Sequence, residues 1–186
     1  MTDSDNQNNF EYYFMQSKSD AAYPMIDLLN EHAEIIEAQL GDPLPRRPVL
    51  ADYLTGAKDF VTKRVAQVMM SMNMEGVRIS PIKLADRKGG YIDDYYVIFV
   101  DDNTYEALDK TNSEYEYDEE CEFYFIEKIV LDKEALAKIP LNKRLGWRLD
   151  EDPGTYLYHE SVINEIKKLQ PTGVEFIHLD DYEGFS

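Results

Sequence analysis

Residues 60–82 and 157–179 carry the same apolar pattern without a gap, and this constrains the fold more than any other feature. Phe60-Val61-Thr62-Lys63-Arg64-Val65-Ala66-Gln67-Val68-Met69 aligns with Leu157-Tyr158-His159-Glu160-Ser161-Val162-Ile163-Asn164-Glu165-Ile166. The register continues through Met72 over Leu169, Gly76-Val77 over Gly173-Val174, Ile79 over Phe176 and Ile82 over Leu179. Each copy predicts a short strand, a helix, a glycine at the helix exit and a second strand. Val65, Val68, Met69 and Met72 form one predicted helix face, and Val162, Ile163, Ile166 and Leu169 the other. Lys63, Arg64 and Gln67, with Glu160, Asn164 and Lys168, are expected in solvent. Two explanations stand at this point: duplication, or the same local structure reached independently.

Between and around these segments the periodicity changes. Phe10 to Met15 reads as an aromatic-rich strand. Ser19 or Asp20 is expected to cap a helix running to Leu40, because Ile26, Leu29, Ala33, Ile36 and Leu40 step by three and four. Gly41 and Pro43 would stop it, and Pro43, Pro45 and Pro48 would make the connector after it stiff and non-helical. Tyr95–Val100 and Glu122–Leu131 read as strands, the second with Phe123, Phe125, Ile129 and Leu131 on one side. Asp132 can cap a short helix over Lys133–Ile139, ended by Pro140, and Leu145–Leu149 is a strand before a turn at Asp150–Gly154. The expected class is α+β, a mixed or antiparallel sheet with packed helices and two possible strand–helix–strand units, 60–82 and 157–179. Residues 1–9 are polar and read as disordered, leaving 10–186 as one domain. A chain of 186 residues is long enough to bury roughly two-thirds of its unfolded surface.

Charge narrows the function. The net charge is -18. Residues 101–122 hold ten acids against Lys110 alone, so half of the total sits in one short block. Such a field disfavours nucleic acid and anionic membrane surfaces as partners and favours a cationic one. The single cysteine, Cys121, excludes an internal disulfide framework and argues for a reducing compartment. With no long apolar run and no basic, apolar leader at the N-terminus, the expected location is cytoplasmic.

No catalytic or cofactor motif stands out. His32, His159 and His178 are scattered, without a zinc signature, and Gly89-Gly90 is a loop signal rather than a phosphate cradle. Acidic neighbours (Glu119, Glu120, Glu122) would raise the Cys121 thiol and disfavour its thiolate. With 37 acids, any carboxylate pair that resembles a glycosidase dyad carries no weight. His159 falls at a helix start, where capping or solvent exposure suits it better than catalysis. No cofactor and no metal is expected.

The remaining candidate site is Glu114, Tyr115, Glu116, Tyr117, Asp118, Glu119 and Glu120. Tyrosines offer rigid amphipathic contact area, and carboxylates accept from Arg or Lys, which suits a basic protein surface. The alternative is an acidic edge strand whose charges prevent aggregation.

Several runs resemble a known family. Tyr95-Tyr96-Val97-Ile98-Phe99-Val100-Asp101-Asp102, Ser113-Glu114-Tyr115 and Ile129-Val130-Leu131-Asp132 are similar to the family called immunity protein eleven, from bacterial polymorphic toxin systems. The likeness continues through Arg148-Leu149, Tyr156-Leu157-Tyr158-His159-Glu160 and Thr172-Gly173-Val174-Glu175-Phe176, and is weakest over 20–50. It implies a cytosolic, non-catalytic protein that neutralises a cognate toxin by binding it, and it transfers no site residue. The competing readings are an adaptor of a secretion apparatus and, on the residues alone, a carboxylate-based hydrolase.

Overall fold

The computed structural model describes residues 9–86, 89–101, 103–120 and 123–182, which form an α+β fold on three sheets. Residues 1–8, Cys121 and Glu122 lie outside the described residues, and with them the reading of the N-terminus as disordered and of Cys121 as unreactive. Elements are numbered in chain order. One sheet runs β2 (Ile26–Asn30), β3 (Ile36–Leu40), β6 (Val77–Ala85), β8 (Tyr95–Val100), β5 (Asp59–Thr62), β4 (Tyr53–Thr55), with β7 (Tyr91–Ile92) paired to β6. A second runs β14 (Val174–His178), β1 (Tyr12–Ser17), β13 (Asp152–His159), β12 (Gly146–Leu149), β9 (Thr104–Tyr105). The third is the hairpin of β10 (Glu114–Asp118) and β11 (Phe123–Lys128). The pairs β3–β6 and β9–β12 are parallel, so the two larger sheets are mixed. The mixed or antiparallel sheet expected from the sequence is realised as two larger sheets and a hairpin. In the first sheet β6 joins the two halves, pairing with β8 over its first half and with β3 and β7 over its second.

Helix α1 (Lys63–Ser71) follows β5, and α3 (Glu160–Lys167) follows β13. In each case an antiparallel strand separates the two strands that the helix joins: β8 lies between β5 and β6, and β1 between β13 and β14. Val65, Ala66 and Met69 of α1 meet Val162, Ile163 and Ile166 of α3 in one core, closed by Tyr53, Ile98 and Tyr158. On the opposite sides Lys63, Arg64, Gln67, Asn164 and Lys168 are exposed, while Glu160 is half-buried rather than solvated. After the helices, Gly76 has φ +79° and Gly173 φ +80°, a left-handed conformation that glycine adopts without steric cost. At Gly173 space is also lacking: a Cβ there would lie 2.5 Å from both the Ala51 Cβ and the Tyr53 carbonyl oxygen.

The helix expected over 20–40 is absent. Ile26–Asn30 and Ile36–Leu40 are instead an antiparallel hairpin, with Leu29 and Ala33 exposed. The same stretch holds a period of two (Ile26 and Leu28, then Ile36, Ala38 and Leu40), and parallel pairing of β3 with β6 satisfies its backbone where a lone helix would have had to do so itself. Tertiary pairing outweighs the helical spacing. Farther on, α2 (Lys133–Ala137) is capped as expected, the Asp132 carboxylate accepting from the Glu134 and Ala135 amides at 2.9 and 3.0 Å. Its end falls two residues before the expected Ile139.

Candidate functional site: an acidic hairpin face

The β10–β11 hairpin rises from a tightly bonded base. The Asp109 carboxylate accepts from the Thr111 and Asn112 amides, turning the chain toward β10. The Ser113 hydroxyl donates to the Val130 carbonyl at 3.1 Å and accepts from the Val130 amide at 2.9 Å. Asp109 N–H donates to Val130 O and Asp132 N–H to Ala107 O, both at 2.8 Å. Beside this base, the buried Glu151 carboxylate is 3.9 Å from Lys110 Nζ, and burial raises its pKa. Lys110 in turn donates to the Tyr124 hydroxyl at 3.0 Å.

Alternation along the strands then sorts the seven predicted residues onto two faces. Tyr115 and Tyr117 point to the same side as Tyr124 and Ile126, their cross-strand partners. Ring centroids of Tyr117 and Tyr124 are 4.6 Å apart, and those of Tyr115 and Tyr124 5.5 Å. This aromatic side packs on the core of Tyr12, Phe14, Trp147 and Leu157. Glu114, Glu116 and Asp118 take the other side, with Glu119 and Glu120 in the turn. Tyr115 is half-buried, so it supports the hairpin from below; Tyr117 is 46% exposed and overhangs the edge.

The alternation over Glu122–Leu131 predicts Phe125 on one side with Ile129 and Leu131, but those two are buried and Phe125 is not. It lies opposite Glu116 on the acidic face and is 55% exposed. Pairing with β10 sets this register, and spacing alone did not separate Phe125 from the buried Ile129 and Leu131. Glu114 is 3.7 Å from Lys128, an exposed pair of little energetic weight. Among the described residues Glu116, Glu119 and Glu120 form no ion pair. The face therefore offers unneutralised carboxylates around one apolar ring. It can accept hydrogen bonds from cations and bury a small apolar contact.

The histidines have structural places. His159 caps α3, its Nδ1 accepting from the Ser161 amide at 3.1 Å while Nε2 lies 3.2 Å from the Asn9 carbonyl, which assigns the proton to Nε2. It is wholly buried rather than solvent-facing, and burial lowers its pKa. His178 caps the short turn of Leu179–Asp181 and contacts Glu11 at 2.7 Å. His32 is exposed in the β2–β3 turn. Among the described residues no three His, Cys, Asp or Glu side chains are grouped to hold a metal ion. Likewise, no helix among them is long and apolar enough to cross a membrane.

The fold is an α+β one on mixed sheets, and its β10–β11 hairpin carries an acidic outward face. The profile of an immunity protein family (Imm11) matches residues 29–181, and the chain belongs to that family. No individual characterised protein matches it. The matched stretch starts after β1, although β1 fills the gap between β13 and β14 in the second sheet.

Proposed function

We propose that the protein is a cytoplasmic, non-catalytic immunity protein that binds and neutralises a cognate toxin domain through the outward face of the β10–β11 hairpin. The observation that carries this reading is the set of unneutralised carboxylates, Glu116, Glu119 and Glu120, beside the exposed Phe125 ring. Such a face suits a toxin with a basic surface, where guanidinium and ammonium groups pair with carboxylates and an apolar ring supplies a desolvated centre. A net charge of -18 favours that partner over nucleic acid or a membrane. The matching geometry of the two units supports reading residues 10–186 as one domain with an internal duplication. Beyond the glycines, Asn73 and Gln170 occupy equivalent positions with φ 51° and 50°. The test is co-purification with the C-terminal domain of a large secreted protein, where a neighbouring gene encodes one. A stable complex that abolishes toxicity is expected, whereas turnover of a substrate lost on changing a single carboxylate would overturn the reading.

A further inference from the structure

A second polar site lies away from the hairpin, at the cavity between β4, β5 and the β1–β14 edge. Its volume is about 680 Å³. The Asp59 carboxylate lines it, with the rings of Phe14, Tyr53, Tyr156 and Tyr182. Phe14 and Tyr182 stack at 5.0 Å, making one wall a continuous aromatic surface. The Tyr53 hydroxyl lies 2.7 Å from Asp59 Oδ1 and 2.9 Å from the Met15 carbonyl oxygen, two acceptors that share its one proton. Among the described residues Oδ2 has no hydrogen bond. The Tyr158 hydroxyl, close enough to interact electrostatically with Asp59, is buried without a partner. Lys58 also lines the cavity and attracts Asp59, yet it makes no ion pair with it, and its ammonium lies 5.8 Å from the Phe99 ring.

We propose that this cavity receives an arginine side chain of a partner protein, with its guanidinium on Asp59 Oδ2 and its stem between the aromatic walls. A guanidinium is planar, weakly hydrated, pairs with carboxylates and stacks on aromatic faces. An anion would meet Asp59 and Asp181, and a neutral apolar group would leave the Oδ2 carboxylate oxygen unpaired. The site stands apart from the hairpin reading, and either can fail without the other.

The experiment is an NMR titration of the full chain with an N-acetylated, C-amidated Gly-Arg-Gly peptide, alongside its norleucine analogue and agmatine. Saturable shifts at Thr55, Asp59 and Tyr156 with millimolar affinity are expected from the arginine peptide and none from the norleucine one. Asp59→Asn, which keeps shape and an acceptor for Tyr53, should weaken binding by about tenfold or more. Tyr156→Ala should weaken it several-fold, and Glu116→Gln/Glu119→Gln/Glu120→Gln should leave it unchanged. Burial raises Asp59 to about 6. The groups facing it are the hydroxyls of Tyr53 on β4 and Tyr158 on β13, and Lys58 beside it. Binding should therefore fade as pH falls through that value. Shifts spread along the hairpin, an Asp59→Asn protein that binds as the wild type does, or agmatine binding more tightly than the peptide would each overturn the assignment.

Discussion

Asp52 precedes β4 and Asp59 opens β5 of the same short hairpin, and their environments drive them in opposite directions. Asp52 is 8% exposed and fully engaged. Arg64 donates to it from α1 at 2.6 and 2.5 Å, Thr62 from the cap of that helix at 2.9 Å, and the Thr172 amide and hydroxyl at 2.8 Å each. Those bonds, Arg64 first, hold its carboxyl well below the usual range. Asp59 is only half-buried, yet it has one hydroxyl donor, and burial pushes it up to about 6. At Asp52 the donors outweigh the cost of burial, whereas at Asp59 a single hydroxyl does not. Asp52 joins segments far apart in the chain, with Arg64 also reaching the Leu169 carbonyl at 3.0 Å, and acts as a clamp between the two helical units. Asp59 lines a cavity, and burial of its charged form there costs stability.

The largest effect should come from removing the clamp. Asp52→Ala strands Arg64 and both Thr172 donors, and should cost about 3 kcal/mol in urea unfolding; partial exposure of Arg64 keeps the figure moderate. Because the folded pKa of Asp52 is depressed, its contribution is present above the ordinary carboxylate value and is lost as pH falls below it. The gap between variant and wild type should narrow in acid. A comparable loss for Asp59→Ala would erase the contrast.

Next comes the corner that delivers Thr172 to Asp52. Gly173→Val combines a left-handed φ with a Cβ pressed on Ala51 and Tyr53, and should cost about 2 kcal/mol. Gly89 has the same sign of φ (+79°) but nothing within 4 Å of its Cβ position, so Gly89→Ala should cost no more than about 1 kcal/mol. Equal losses at the two positions would show that backbone conformation alone, and not the packing of this corner, is being felt.

Asp59→Asn should do the reverse and stabilise. A raised folded pKa contributes stability that is present below the unfolded pKa and disappears as pH rises through about 6. The variant should gain on the order of 1 kcal/mol near neutrality and nothing below about pH 4, as read by thermal melts across that window. A gain independent of pH would assign the effect to packing rather than to charge.

The sequence carried the local features well. Alternation marked β8, the Asp132 cap marked α2, and the aligned segments placed both longer helices and the two left-handed glycines. It failed where long-range pairing decides: the 26–40 stretch satisfies a helical spacing and a strand spacing at once, and only its partner β6 selects between them. The acidic hairpin was legible as composition, but not the division that turns Tyr115 inward and Phe125 outward, because the strand partner set that register. Neither Asp52 nor Asp59 drew notice. Thr172, which donates to Asp52, is 120 residues away along the chain, and no spacing marks the Tyr53 hydroxyl that reaches Asp59. The same holds for Arg144, a fully buried cation that donates to the Tyr12 hydroxyl and the Asn9 carbonyl, and that spacing and charge pattern would have placed at the surface.

The central claim is recognition of a basic partner by the hairpin's carboxylates, and the association rate with the cognate toxin domain tests it most directly. With Glu116, Glu119 and Glu120 changed to Gln, the low-salt on-rate should fall while the melting temperature stays close to that of the wild type. The wild-type rate should itself drop steeply as the Debye length shrinks from about 10 Å at 0.1 M salt to about 3 Å at 1 M. An on-rate equal to the wild type's at low salt, in a protein that still folds and binds, would contradict the account and move recognition to another face.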